Sequence, residues 1–212
     1  VIFYYNLIPL ISLNLIWILL TIPIVTAIPA LGALFYATNV LVHENSADWG
    51  VFFEGFKKYF WISYKWGLVS LGIIGLLLMN IWFYGQFSSF WAAVAQVLFL
   101  WICLLYLFLQ LYTFPMLIEQ KQKKLRLAAR NALVIFLSRP WKSILLLLGS
   151  ILISVVSVIL TPLLFVITAS VITYWCNKNT IDAMQKLPRK DKEKEPVSVE
   201  NPDENGEGLT QE

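Results

Sequence analysis

The first forty-two residues of this chain carry no Lys, Arg, Asp or Glu. Charge is scarce throughout: 14% of residues are charged and 58% are hydrophobic. Soluble domains hold about 25% charged and roughly 45–50% apolar residues. A water-soluble all-α core does not need apolar runs this long. Histidine is nearly absent, with His43 alone, and cysteine is limited to Cys103 and Cys176. Those counts exclude a disulfide framework and leave no His, Cys and carboxylate cluster for a metal. The two cysteines sit in apolar runs and read as small packing residues. No paired carboxylates, HExxH, GxSxG or Walker lysine loop occurs, so the chain reads as non-enzymatic and without cofactor. A basic soluble face for nucleic acid is missing too. The chain opens at Val1 rather than Met, as a trimmed chain or fragment would. No basic n-region precedes a short apolar stretch, so a secretory signal is not visible.

What is present is a series of long apolar segments. They are Leu7 to about Thr26 (continuing weakly to Val42), Phe60–Tyr84, Phe90–Tyr112, Trp141–Leu160, and Leu163–Trp175 with an extension toward Met184. A span needs about 20 residues at 1.5 Å each to cross roughly 30 Å of hydrocarbon. The expected fold is all-α: a polytopic helical membrane protein with five spans, or six. Residues 1–187 form the membrane domain. Residues 188–212, rich in charge, Pro and Gly and free of aromatics, form a disordered cytoplasmic tail.

Charge then orients the spans. The connection from Glu119 to Lys142 holds Lys121, Lys123, Lys124, Arg126, Arg130, Arg139 and Lys142 against Glu119 alone. By the positive-inside rule it is cytoplasmic. The uncharged connection around Gly85–Ser89 and the Thr161–Pro162 turn fall outside. Without its tail the chain has twelve bases and five acids, a net +7. The expected setting is a multi-pass protein of the cell membrane.

Residues 1–42 as one helix would be about 63 Å long, so the chain must break. Pro23 and Pro29 mark the break. The β-branched Ile24, Val25 and Thr26 suit an extended elbow between a span ending near Pro23 and a second helix from about Pro29 to Val42. Pro29 then sits in the first turn, where its missing donor costs nothing. The second helix either lies at the interface, giving five spans, or returns through the bilayer, giving six. Pro23, Thr26 and Pro29 are one candidate site, because irregular backbone at depth lines a pathway or is buried in protein.

Residues 47–67 place Trp49, Phe52, Phe53, Phe56 and Phe60 at near-helical spacing, with Glu54, Lys57 and Lys58 opposite. This predicts an interfacial amphipathic helix with a belt of Trp49, Tyr59, Trp61, Tyr64 and Trp66. Gly67, Ser70, Gly72 and Gly75 predict a close-packing face on the following span. Mid-span polar residues such as Asn14, Asn80, Gln96 and Gln110 read as helix-to-helix hydrogen bonders. In the basic connection, Lys123, Arg126 and Arg130 share a predicted helix face, with Leu125, Ala129, Ala132, Leu133 and Phe136 on another. Lys121, Lys123, Lys124, Arg126 and Arg130 are the second candidate site, docking a partner or anionic lipid headgroups.

The stretches "LNLIWILLTIPIVTAIPALGALFYATNVLV", "FFEGFKKYF" and "LAARNALVIFLSRPWKSILLLL" resemble the YesL-like family of bacterial integral membrane proteins (domain of unknown function 624). Asn14, Trp17, Pro23, Val25, Thr26, Pro29, Ala30, Tyr36, Phe53, Phe56, Lys57, Asn131 and Pro140 carry the likeness. It covers the chain to about Met184. Ile28 stands where many relatives have Gly. Relatives are often encoded beside carbohydrate uptake and degradation systems, so the resemblance implies an accessory or interaction subunit associated with carbohydrate utilisation. It implies sugar transporter subunits as partners besides the lipid bilayer, and assigns no catalytic residue and no oligomeric state. The alternative is a transporter that carries a neutral small solute such as a sugar along the broken helix.

Overall fold

The computed structural model describes residues 7–159 and 167–186. Among them are seven helices and no strand. They are α1 (Leu7–Thr21), α2 (Ile24–Glu44), α3 (Trp49–Tyr84), α4 (Phe90–Glu119), α5 (Leu125–Ser138), α6 (Pro140–Ile159) and α7 (Thr168–Lys186). The Thr161–Pro162 turn, Leu163 and the charged tail lie outside the described residues.

Four of these helices, α2, α3, α4 and α6, are long and apolar enough to cross a membrane. The first apolar segment is divided differently from the sequence expectation. Its leading half, α1, has 15 residues, about 22 Å, and is too short to cross alone. The longer apolar helix is α2, which starts five residues before the expected Pro29–Val42 helix and ends two residues after it, at Glu44. Within residues 47–67, the helix starts at Trp49 and runs without a break into the following span as the first half of the 36-residue α3. Asp48 caps it, accepting from the Val51 N–H at 3.0 Å. Pro140 opens α6 as expected of a proline at a first helical position.

The core sits where α2 runs antiparallel to α3. Gly55, Ser63 and Gly67 of α3 meet Tyr36, Gly32 and Ile28 of α2 in turn. A Cβ on Gly32 would overlap Ser63, one on Gly55 would overlap Tyr36, and one on Gly67 would overlap Ile28. Ile28 therefore fills the groove that Gly67 leaves. Gly72 and Gly75 open onto empty space. Of the expected close-packing face Gly67 takes part, while Gly72 and Gly75 do not, and the rest of the seam lies one to three turns earlier, at Ser63 and Gly55. The small-residue pattern was read in the most apolar stretch, whereas the seam follows the partner helix. The aromatics divide likewise. Tyr59 turns inward to Phe114 and Tyr36, with ring centroids 6.3 and 5.4 Å away, while Trp49 and Trp61 stay exposed. Phe35, Trp66 and Phe114 complete this cluster.

Past Gly67, α3 continues with α4 as a two-helix arm. Tyr84 stacks on Phe99 at 5.6 Å, and Gln96 donates to the Ile81 carbonyl at 3.2 Å. Most other apolar side chains of the arm are exposed, Trp82, Leu98 and Trp101 among them. Residues 68–107 include no ionisable Asp, Glu, Lys, Arg or His.

The last helix, α7, differs in kind. It buries Ser170, Thr173, Asn177 and Thr180 against the bundle. Polar residues in such a place are held by partners, and α7 is tied to α1 and α2 by the asparagines described next.

Candidate functional site

The elbow is tighter than its two prolines suggest. Only Ile22 and Pro23 interrupt the helices, and Ile24, Val25 and Thr26 are helical rather than extended. Pro23 occupies the N-cap position of α2, with φ −75° and ψ 103°. Pro29 lies inside α2, where its ring removes the donor that would bond the Val25 carbonyl four residues back. The Tyr64 hydroxyl of α3 donates to that carbonyl instead. Thr26 serves two more acceptors. Its hydroxyl reaches the Leu20 carbonyl at 2.5 Å and the Pro23 carbonyl at 2.8 Å, which its own N–H also bonds at 2.8 Å. Propensity favoured extension here, but these side-chain donors and the packing of Pro29 and Ala30 let the helix start early. Pro23, Thr26 and Pro29 are brought together as one turn. Its rim is apolar and open: Ile22 is 72% exposed, Ile24 86% and Val25 72%.

At the opposite end of α2 lies a polar cluster. Glu119, closing α4, accepts from the Asn39 amide at 2.6 Å and pairs with His43 Nε2 at 2.8 Å through the same oxygen. Tyr36 donates to Glu54 at 2.8 Å, and the Lys58 ammonium lies 5.1 Å from the Tyr36 ring centroid. This cluster was not read from the sequence. An asparagine within an uncharged run, followed four residues later by the chain's single histidine, is the signal that could have found it.

The basic residues separate into two groups. Lys123 precedes α5, whose N-cap is Lys124, so it does not share the Arg126 and Arg130 face. It donates to the Ile118 carbonyl and lies 5.8 Å from the Tyr59 ring centroid. Burial pushes its pKa below the usual lysine range, Lys58 pushes the same way, and Glu119 opposes them. Lys123 is a clamp on the end of α4. Lys121, Lys124, Arg126 and Arg130 remain exposed. The buried face of α5 is Ala128, Ala132 and Ile135; of the expected face Ala132 is buried, Leu125 and Phe136 pack inward, and Ala129 and Leu133 are exposed.

Two asparagines bind distant helices together. Asn14 Oδ1 accepts from the backbone N–H groups of Ala169 and Ser170 at 3.1 and 3.2 Å, so α1 caps α7. Asn177 donates to the Phe35 carbonyl at 2.8 Å and to the Thr38 hydroxyl at 2.9 Å. Both asparagines are fully buried.

Two clefts open on the surface. One is lined by Ile153, Val171, Tyr174, Trp175 and Lys178 between α6 and α7. The other, of about 220 Å³, lies between α3, α4 and α5 and includes Trp66, Gln110 and Arg126. Pro23, Thr26 and Pro29 line neither.

Residues 10–81 match the family model described as a protein of unknown function, DUF624. Over that stretch the chain carries the DUF624 pattern. The resemblance read from its residues holds there. The DUF624 segment runs from within α1 to near the end of α3, so it contains Asn14, the elbow, Tyr64 and the whole α2–α3 seam. The basic connection, α6 and α7 lie beyond it. Comparison with curated proteins and with solved structures gives no match.

Proposed function

We propose that this chain is a non-enzymatic integral membrane protein serving as an accessory or interaction subunit, associated with carbohydrate uptake and utilisation. The observation that carries the interaction reading is the arm of α3 and α4. In the apolar windows of these two helices 11% of residues are buried, against 56% in α2. Such a surface suits the helices of a neighbouring membrane subunit as well as lipid. The carbohydrate setting rests on the family resemblance. A carrier of a neutral solute draws less support, because unwound carbonyls in a transport path are open to the solute. Here three of the elbow carbonyls, those of Leu20, Pro23 and Val25, are already bonded.

The test is affinity recovery of the full chain from native membranes in mild detergent, beside a Trp82→Ala, Trp101→Ala form. Stoichiometric sugar-transporter subunits with the intact chain, lost with the altered arm, are expected. Recovery of the chain alone in both forms, together with sugar flux in liposomes, overturns the accessory reading in favour of the carrier.

The same reading puts the basic connection and the tail on the cytoplasmic side and makes α1 and α2 a re-entrant hairpin. Ser63 packs on Gly32, and Lys65 follows within a turn on α3. Gly67 packs on Ile28, so Lys65 is level with about Ala30; if Lys65 marks the interface, Pro23 lies about seven residues farther in along α2, about 10 Å into a roughly 30 Å hydrocarbon layer. Backbone survives at that depth when its polar groups are satisfied internally, as Thr26 and Tyr64 do here. Cysteines introduced singly at Asn45, Ser88 and Ile24 check this. In intact cells a membrane-impermeant maleimide should label Ser88→Cys only. Asn45→Cys should label once the cells are opened, and Ile24→Cys in neither case. Labelling of Ile24→Cys from the outside would mean a full crossing.

A further inference from the structure

The cleft between α3, α4 and α5 has a graded lining. Arg126 and Thr113 stand at the end nearest the basic connection, and Val69, Ile73 and Leu109 form its apolar wall. Arg126 is exposed and has no carboxylate within ion-pair distance among the described residues, where the only pairs are His43–Glu119 and Lys58–Glu54. Two neighbouring cations share that lack of a partner. Lys65 is one turn before Val69 on the same face of α3, and Arg130 one turn after Arg126 on α5. In the cleft wall, the Trp66 indole N–H and the Gln110 side-chain carbonyl are buried without a hydrogen-bond partner among the described residues. Buried polar groups ordinarily have one. The apolar wall runs straight onto the open surface of the arm, where Val69 and Ile73 are exposed.

We infer that this cleft is a binding site for one anionic phospholipid. The phosphate pairs with the Arg126 guanidinium, which offers it two donors in a fixed fork. Lys65 and Arg130 supply further positive field. One acyl chain lies along Val69, Ile73 and Leu109 and continues up the arm. The match is one of direction as well as charge. The charged end of the cleft lies level with the basic connection and its apolar end points along the two uncharged helices, which is how a lipid of that leaflet stands. The site gives one of the docking residues, Arg126, a ligand of defined chemistry. It needs the chain to be membrane-embedded but does not depend on any protein partner.

Native mass spectrometry of the purified full chain in detergent tests this, with phosphatidylglycerol, phosphatidylcholine and glycerol 3-phosphate as probes. One phosphatidylglycerol should be retained about tenfold more tightly than phosphatidylcholine, and glycerol 3-phosphate should not compete. Arg126→Gln, at an exposed position, should remove most of the preference while Lys178→Gln on α7 leaves it. Ser70→Leu, which narrows the cleft without altering charge, should weaken phosphatidylglycerol retention. Equal retention of the two lipids, or an unchanged preference in Arg126→Gln, overturns the site. Competition by glycerol 3-phosphate as strong as by the lipid would show a soluble-anion site instead and would also overturn it.

Discussion

Asn14→Leu is expected to destabilise the fold by about 2–4 kcal/mol, because it strips one buried and one part-buried N–H group of their acceptor, at about 1–3 kcal/mol for the buried one and about 1 kcal/mol for the other. The acceptor is a single oxygen, Asn14 Oδ1, bonded to the first-turn N–H groups of α7. A helix start has no intrahelical partner for these groups, and nothing in an apolar bundle replaces the lost one. The bond also joins residues 155 apart in the chain, so its loss frees α7 from α1. Asn80→Leu is the matched comparison. That amide reaches only the Leu76 carbonyl of its own helix, at an exposed position. Its replacement should change stability by less than about 1 kcal/mol. Unfolding in mixed micelles of rising dodecyl sulfate content, followed by circular dichroism, measures both. Equal midpoints for the two variants would show that the Asn14 cap adds nothing and that α7 is held by its other contacts, the Asn177 bonds to α2 among them.

Gly32→Leu should be the most damaging single change at the α2–α3 seam, costing about 3 kcal/mol or more through overpacking. A first carbon on Gly32 already overlaps Ser63 and reaches Phe114, and neither can retreat: Ser63 is held by the α3 backbone and Phe114 is fully buried. A Cβ on Gly72 or Gly75 meets nothing within 4 Å, so Gly72→Leu and Gly75→Leu start from open space. These should fold as well as the parent, or better by about 1 kcal/mol per glycine removed from a helix interior. Detergent-resistant monodispersity on size exclusion, with the thermal midpoint, separates the two outcomes. Comparable losses at Gly32 and Gly72 would mean that the arm is packed against something in the native membrane protein, which would itself favour the accessory reading.

The same pair of positions shows where sequence reading stops. All the glycines of α3 look alike as a pattern of small residues. Whether one is needed depends on how far a neighbouring helix extends beside it, and α2 reaches only about one turn beyond the level of Gly67. On α5 the expected Ala132 is buried, but Ala128 takes the place expected of Ala129, for a related reason. Ala128 and Ala129 are chemically identical, and only the approach of α4 and α6 decides which of them is covered. The elbow was located from its prolines, but its form was not. Ile24, Val25 and Thr26 favour extension by themselves, yet donors from Thr26 and from Tyr64, a residue 39 positions away, satisfy the carbonyls and let them coil.

Charge and hydropathy settled what local physics can settle. The uncharged runs require a helical, bilayer-compatible chain, since a backbone without water must bond to itself. The prolines require a break, since a proline has no N–H to give. The concentration of Lys and Arg between Glu119 and Lys142 marks one end of the molecule. Tertiary structure alone decided the rest: that α1 and α2 turn back as a hairpin, that α3 and α4 carry an uncovered arm, and that Lys123 clamps while Arg126 faces a cleft. It also joined Asn14 to α7 and Asn39 to Glu119. Each of those outcomes depends on which side chains meet across helices, and an interaction over eighty or more residues leaves no periodicity in the sequence to read.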